Sequence, residues 1–261
     1  MNLSLENKTA VVCGSTQGIG LASAKELALL GANCVLVARS EDKLKLAVAE
    51  LSNNGTQNHG YMVADFSKPE ELKSIIEEWA KENQANILVN NTGGPKGGPI
   101  HAAEISEFTN TFQQHLICNH IMVQALMEGM KAAGYGRIVN IISTSVKQPL
   151  DGLGVSNTIR GAVANWSKTL ANELGQFNIT VNNVLPGATN TIRLSSIIEN
   201  KAEKTGGNVE DIKEGMANQS PMKRIAEPEE VANAVAFLCS PAASYINGIN
   251  VPVDGGRTKS L

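Results

Sequence analysis

Thr9-Ala-Val-Val-Cys13, followed without a spacer by Gly14-Ser15-Thr16-Gln17-Gly18-Ile19-Gly20 and an apolar pattern that runs to Leu30 and Gly31, decides the fold. The first five residues are apolar or β-branched, which predicts a short buried strand. From Ile19 to Leu30 small and apolar residues recur at helical spacing, and Gly31 ends the run as a glycine commonly ends a helix. Glycines at such a turn let the backbone bend tightly and approach a diphosphate. The head of the following helix adds free amides and the positive end of its dipole. A glycine-rich turn alone is weak evidence, but placed between a strand and a helix it predicts a dinucleotide site rather than a plain structural turn.

The same alternation continues outward. Asn33–Ala38 reads as a buried strand, Glu41–Leu51 as a helix, Gly60–Ala64 as a strand and Leu72–Glu82 as a helix. Ser67-Lys68-Pro69-Glu70 predicts the start of that helix, with Ser67 as its capping side chain. Asn86–Asn90 is the next strand, then come the Gly/Pro-rich loop Thr92–Pro99, a helical stretch to about Ala133 and the strand Arg137–Ser143. Ser156–Gly175 (helix), Ile179–Leu185 (strand), Glu229–Leu238 (helix, primed by Pro228) and Ile249–Val253 (strand) complete the pattern. Continuous apolar strands separated by helices predict an α/β fold: one doubly wound parallel sheet of about seven strands, with helices on both faces. The polar Thr191–Ser220 stretch interrupts this rhythm. It predicts a helical excursion that is either a substrate lid or a solvated insertion.

Composition sets the bounds. A chain of 261 residues, 42% hydrophobic and 18% charged, with no Pro/Gly/Ser-rich linker, predicts a single folded domain over 1–261. Lysine and arginine total 22 against 25 acidic residues, so no strong field exists for nucleic acid or for an anionic membrane surface, and small molecules are the expected partners. No apolar run reaches the roughly 18 residues of a membrane span, and Met1–Ala10 lacks a signal-peptide plan, which together predict a cytoplasmic protein. Cys13, Cys34, Cys118 and Cys239 are far apart and have no ligand spacing, so they are expected to be reduced buried thiols, and no metal site is expected. Trp79 and Trp166 are expected to pack on the sheet, and the Glu77-Glu78 and Glu229-Glu230 pairs to be solvated.

The GxxxGxG spacing at Gly14–Gly20, Asn90-Asn91-Thr92-Gly93 after the fourth strand, and Pro186-Gly187 with Thr191 together resemble the short-chain dehydrogenase/reductase family. The family's usual forms are TGxxxGxG, NNAG and PGxxxT. Gly136-Arg-Ile-Val-Asn140, Lys168–Leu174 and Val253-Asp-Gly-Gly256 agree, so the resemblance covers essentially the whole chain. It implies a Rossmann-type fold, a homotetramer or homodimer, and binding of NAD or NADP. The implied cofactor residues are Gly14, Ser15, Gln17, Gly18, Ile19, Gly20, Asn91, Gly93, Pro186, Gly187 and Thr191. By the same resemblance Asp65 accepts from the adenine amino group, unless it is only a turn or helix-start residue. The second strand ends in Val37-Ala38-Arg39-Ser40, with no carboxylate at its tip to repel a 2′-phosphate and an arginine to attract one, so NADP is expected over NAD. The competing reading pairs Arg39 with Glu41.

In the family a serine after the fifth strand is followed thirteen residues later by a tyrosine and four further on by a lysine. Here those positions hold Ser143, Ser156 and Arg160, so both members of the YxxxK pair are replaced. The family's fourth catalytic position, an asparagine, falls on His115. Ser143 is expected to donate to a substrate oxygen, unless it merely caps the strand end. Arg160 can serve the nicotinamide ribose and keep the site positive. A serine hydroxyl is a far weaker acid than a phenol, so a proton must come from elsewhere. His115, expected to titrate nearest neutrality, can supply it directly or through water, against the plainer reading of a packed histidine. Arg193 faces either the cofactor phosphates, an anionic substrate or solvent. The sequence therefore predicts an NADP-preferring oxidoreductase acting on a carbonyl/alcohol pair, resembling the 3-oxoacyl-acyl-carrier-protein reductases. The alternative is a nucleotide-binding protein with little or no redox activity.

Overall fold

The computed structural model describes residues 1–260. Seven parallel strands run in the order β3-β2-β1-β4-β5-β6-β7. They are β1 (Thr9–Cys13), β2 (Asn33–Ala38), β3 (Gly60–Val63), β4 (Ile87–Asn90), β5 (Gly136–Ile141), β6 (Ile179–Pro186) and β7 (Asn250–Val253). β4 and β5 are buried at every residue, as the continuous apolar runs require. The order reverses between β1 and β4, and a ligand crevice opens outside the carboxyl ends of strands at such a switch point.

Helices cover both faces. α1 (Gly18–Leu29) and α9 (Pro228–Cys239) pack together on one side, where Leu27, Val231 and Val235 join a cluster built on Val12, Leu36 and Val139. On the other side α3 (Pro69–Glu82), α5 (Cys118–Ala132) and α6 (Gly154–Leu174) bring Ile76, Met122 and Leu170 onto Val11, Leu88 and Ile138. Trp79 and Trp166 pack against this second cluster. The four cysteines are free and buried. Among the described residues no helix is long and apolar enough to cross a membrane, and no group of His, Cys, Asp and Glu could hold a metal ion.

Two local expectations, on Ser67 and Glu230, are corrected, and the helical stretch before β5 gains detail. Ser67 does not cap α3: Lys68 occupies the N-cap without a side-chain bond, and the Ser67 amide is taken by the Asp65 carboxylate at 2.9 Å. Pro69, which cannot donate, opens the helix, and Glu70 and Glu71 favour its positive end. The stretch before β5 is not one regular helix. α4 (Ile105–Phe112) passes through a π turn at Gln113–Ile117 into α5, and the turn carries His115 inward, only 1% exposed. Glu230 is not merely solvated. Arg224 grips both its oxygens at 2.6 Å, and it completes a reciprocal capping box with Glu227 at the head of α9.

A polar seam crosses the apolar sheet where the sequence pattern shows only strand ends. Asn90, Asn140, Asn183 and Asn250 are register neighbours on β4, β5, β6 and β7. Asn90 donates to Asn140 at 2.8 Å, Asn140 to Asn183 at 3.1 Å, and Asn183 to Asn250 at 2.8 Å; Asn140 also donates to Ser167 of α6. An amide in such a row is satisfied only when the strands keep one register, so the seam fixes their carboxyl ends relative to one another and to α6.

Candidate active site

The crevice starts at the turn between β1 and α1. Gly14 has φ +59°, a left-handed conformation that side chains resist, and its carbonyl oxygen sits where a Cβ on Gly20 would have to go. The Asn91 amide lies 2.6 Å from that same point and donates to the Gly14 and Cys13 carbonyls at 3.1 and 3.3 Å. Asn91 therefore clamps β4 to the glycine turn and forms the floor of the crevice. Gln17 stands at the N-cap of α1 with no capping bond, and the first turn holds no acid. The leading amides around Gly18, Ile19 and Gly20 are thus left open to an anion. Thr191 faces Gly18, with its methyl 3.1 Å from a Cβ position there, and caps α7 (Ile192–Thr205) by accepting from Leu194 at 3.3 Å. Gly187 packs against Asp254 so closely that a Cβ would lie 2.8 Å from its Cα. This crevice fits a dinucleotide: small, close-lying backbone with free donors and no acid in the first turn of α1.

Ser15 is fully buried, and its hydroxyl accepts from the Val37 amide at 3.1 Å, so it ties β1 to β2. Arg39 is exposed at the tip of β2, and Glu41 is engaged by Lys45 and Tyr61, both at 3.0 Å, which removes the expected competitor. Asp65 is half-buried beyond β3 and accepts from Ser67. Burial raises its pKa, but the Ser67 bonds and Arg39 outweigh this and hold it below the usual carboxylate value. Gly93 is exposed at the turn after β4, and Pro186 ends β6.

At the other end, Ser143 follows β5, and its oxygen accepts from the Ser145 amide at 3.1 Å, which leaves its own proton free to donate. Ser156 and Arg160 lie one turn apart on α6, Ser156 half-buried and Arg160 only 8% exposed. The Arg160 Nη1 donates to the Ile141 carbonyl at 2.9 Å, which brings the guanidinium to the end of β5, two residues from Ser143. Burial, and then the charge of Arg193, pull its pKa down to about 10, so it stays a cation.

His115 bonds through Nδ1 to the Thr92 hydroxyl at 2.6 Å, while its buried Nε2 has no partner. The expectation that it titrates near neutrality is corrected. Burial first, and Arg160 second, outweigh a bond with the Gly93 backbone and push its pKa down to about 2. At physiological pH it is a neutral imidazole.

The sequence profile of the family described as Enoyl-(Acyl carrier protein) reductase matches residues 14–258. The chain belongs to the short-chain dehydrogenase/reductase family. This short-chain dehydrogenase/reductase is therefore an NAD(P)-dependent oxidoreductase by kinship. It is 32% identical to the 3-oxoacyl-acyl-carrier-protein reductase FabG of Aquifex aeolicus, over 98% of this chain and 99% of the relative. It is 30% identical to the NADPH-dependent reductase BacG of Bacillus subtilis, over 98% of this chain and all of that one. Among solved structures, L-sorbose reductase from Gluconobacter frateurii, complexed with NADPH and L-sorbose, superposes with a TM-score of 0.92 at 33% identity over the whole of both chains.

Proposed function

We propose that the protein is an NADP-preferring reductase or dehydrogenase of a carbonyl/alcohol pair, 3-oxoacyl-reductase-like, that works with an altered catalytic set. The observation that carries this reading is the uncapped head of α1 against the Gly14–Gly20 turn, opening onto Ser143 and Arg160 at the end of β5. Gly14, Gln17, Gly18, Ile19, Gly20, Asn91, Gly93, Pro186, Gly187 and Thr191 would hold the dinucleotide. Arg39 would meet its 2′-phosphate and Asp65 its adenine. The NADPH named for BacG and bound in the sorbose reductase complex supports the choice of cofactor. When bound, it supplies or accepts the hydride at its nicotinamide ring.

The chain's own part is electrostatic. Ser143 donates a hydrogen bond to the substrate oxygen, and Arg160 adds a fixed positive charge where that oxygen becomes an alkoxide. Arg160 also offers donors to the nicotinamide ribose. Ser156 leaves room where the family has a phenol but cannot act as an acid. His115 stays neutral, so its unpartnered Nε2 serves to orient water, and solvent provides the proton that completes the alcohol. The stretch 191–220, helical as α7 and α8 (Val209–Asn218), would serve as the lid of the site. Four buried thiols suit a reducing, cytoplasmic setting, and the family tie supports a homodimer or homotetramer.

The missing phenol favours one other reading, a dinucleotide binder without turnover. Fluorescence titration with NADPH and NADH, followed by the loss of reduced-nicotinamide absorbance over a panel of 3-oxoacyl esters, ketoses and aldehydes, separates the two. Tighter NADPH binding with turnover is the expected result. Binding with no turnover in either direction assigns the binder, and no binding of either coenzyme overturns both.

A further inference from the structure

Two cations meet at the reactive end of the crevice with nothing to neutralise them. Arg160, more than nine-tenths buried, spends one nitrogen on the Ile141 carbonyl. Arg193, on the first turn of α7, donates to the Pro95 carbonyl across the cleft. Their Nη2 atoms converge on Gly94: a Cβ there would lie 3.7 Å from Arg193 and 4.0 Å from Arg160. Among the described residues neither forms an ion pair, although seven such pairs exist elsewhere. Burial first, and the charge of Arg193 second, disfavour the Arg160 cation, as its lowered pKa records. Burying one guanidinium without a counter-charge is expensive, and bringing up a second raises the cost, so the pair is expected to meet an anion in its working state. Nearby, Lys96 and Lys204 line a cavity of about 230 Å³ together with Val155, the residue before Ser156, and only one carboxylate, Glu107.

We propose that Arg160 and Arg193 form a carboxylate subsite, and that the substrate is a small carbonyl or alcohol compound carrying a carboxylate group. This rests on the reductase reading of the crevice. The phosphates of the dinucleotide already have a place at the open amides of α1, on the side where Thr191 faces Gly18. Arg193 instead donates to Pro95 and shares the surroundings of Gly94 with Arg160, whose guanidinium sits at the end of β5. The donors that Arg160 and Arg193 do not spend on the Ile141 and Pro95 carbonyls flank Gly94, where they can reach the two oxygens of one carboxylate.

Calorimetric titration of the intact protein, with and without saturating NADP, tests this with oxamate as the charged probe and oxamide as its neutral match. Oxamate is expected to bind at least about 10-fold more tightly than oxamide, and Arg193→Gln to weaken it by roughly 10-fold to 100-fold, the worth of a charge-assisted hydrogen bond. The same substitution is expected to leave NADPH affinity within about 2-fold. Arg160→Lys, which keeps the buried charge while losing the fork, is expected to weaken oxamate without unfolding the chain. Equal binding of oxamate and oxamide overturns the subsite. So does an Arg193→Gln protein that loses NADPH affinity and keeps oxamate, because the anion is then the cofactor's diphosphate. Oxamate bound by a protein that ignores both coenzymes upholds the anion site and overturns the reductase reading instead.

Discussion

Replacing a helical glycine by alanine normally stabilises, and two such glycines here are predicted to respond with opposite sign. Gly215 lies inside α8, and a Cβ there meets nothing within 4 Å. Gly215→Ala is expected to gain about 0.5–1 kcal/mol from helix propensity, or about 1–4 °C in melting temperature. Gly20 is equally helical, but its Cβ would be driven into the Gly14 carbonyl oxygen and the Asn91 amide. Neither can yield cheaply. Asn91 holds the Gly14 carbonyl at 3.1 Å, and the Gly14 amide is bonded to Val37 at 2.8 Å, so the turn is pinned from both sides. Overpacking against fixed backbone costs about 1–3 kcal/mol, which exceeds the propensity gain, and the shifted turn misplaces the amides that would receive a diphosphate. Gly20→Ala is expected to melt about 4 °C or more below the parent and to bind NADPH at least about 10-fold more weakly. Thermal unfolding by circular dichroism and NADPH fluorescence titration on both variants decide it. A Gly20→Ala protein that melts at or above the parent temperature and keeps its NADPH affinity refutes the reasoning.

Arg39→Ala is expected to weaken NADPH by roughly 10-fold to 100-fold, the loss of a charge-assisted contact, and to leave NADH within about 2-fold; equal losses for the two coenzymes would remove Arg39 from the 2′-phosphate. The folded state keeps His115 neutral down to about pH 2, whereas the unfolded chain takes up its proton near pH 6.5. Its share of stability is therefore full above about 6.5 and is lost as pH falls, by at most roughly 1.4 kcal/mol per unit. His115→Gln should flatten that part of the acid-side stability curve, and the parent's kcat/KM profile should show no break near pH 6.5. Asn140→Ala strips the acceptor from a buried Asn90 amide and leaves a cavity in the seam. It is expected to cost about 2–4 kcal/mol, read as a fall of about 5–10 °C by calorimetry; a fall under about 1 °C would show that the seam does not hold the register.

The parallel sheet, the glycine turn and the order of the site motifs were legible along the chain, because each depends on periodicity or turn chemistry within a dozen residues. Element bounds moved by one to three residues: β4 begins at Ile87 rather than Asn86, and α3 at Pro69 rather than Leu72. The corrected readings have separate causes: Glu230 was claimed by Arg224, the Ser67 amide was taken by Asp65, and the π turn buried His115. The asparagine seam had a visible trace, an asparagine near the carboxyl end of β4, β5 and β6, but only strand order shows that these meet.

The sequence by itself carried the marks of a dinucleotide crevice of the short-chain dehydrogenase/reductase kind, and it predicts Ser156 and Arg160 at the positions of the family's phenol and ammonium. Only the tertiary structure decided the electrical state of that site. His115 is neutral because the π turn buries it beside Arg160, and Arg160 lacks a counter-charge because α7 brings Arg193, not a carboxylate, to face it. Desolvation and Coulomb energy depend on which groups converge in space, and the convergence of positions 94, 115, 160 and 193 is set by packing alone.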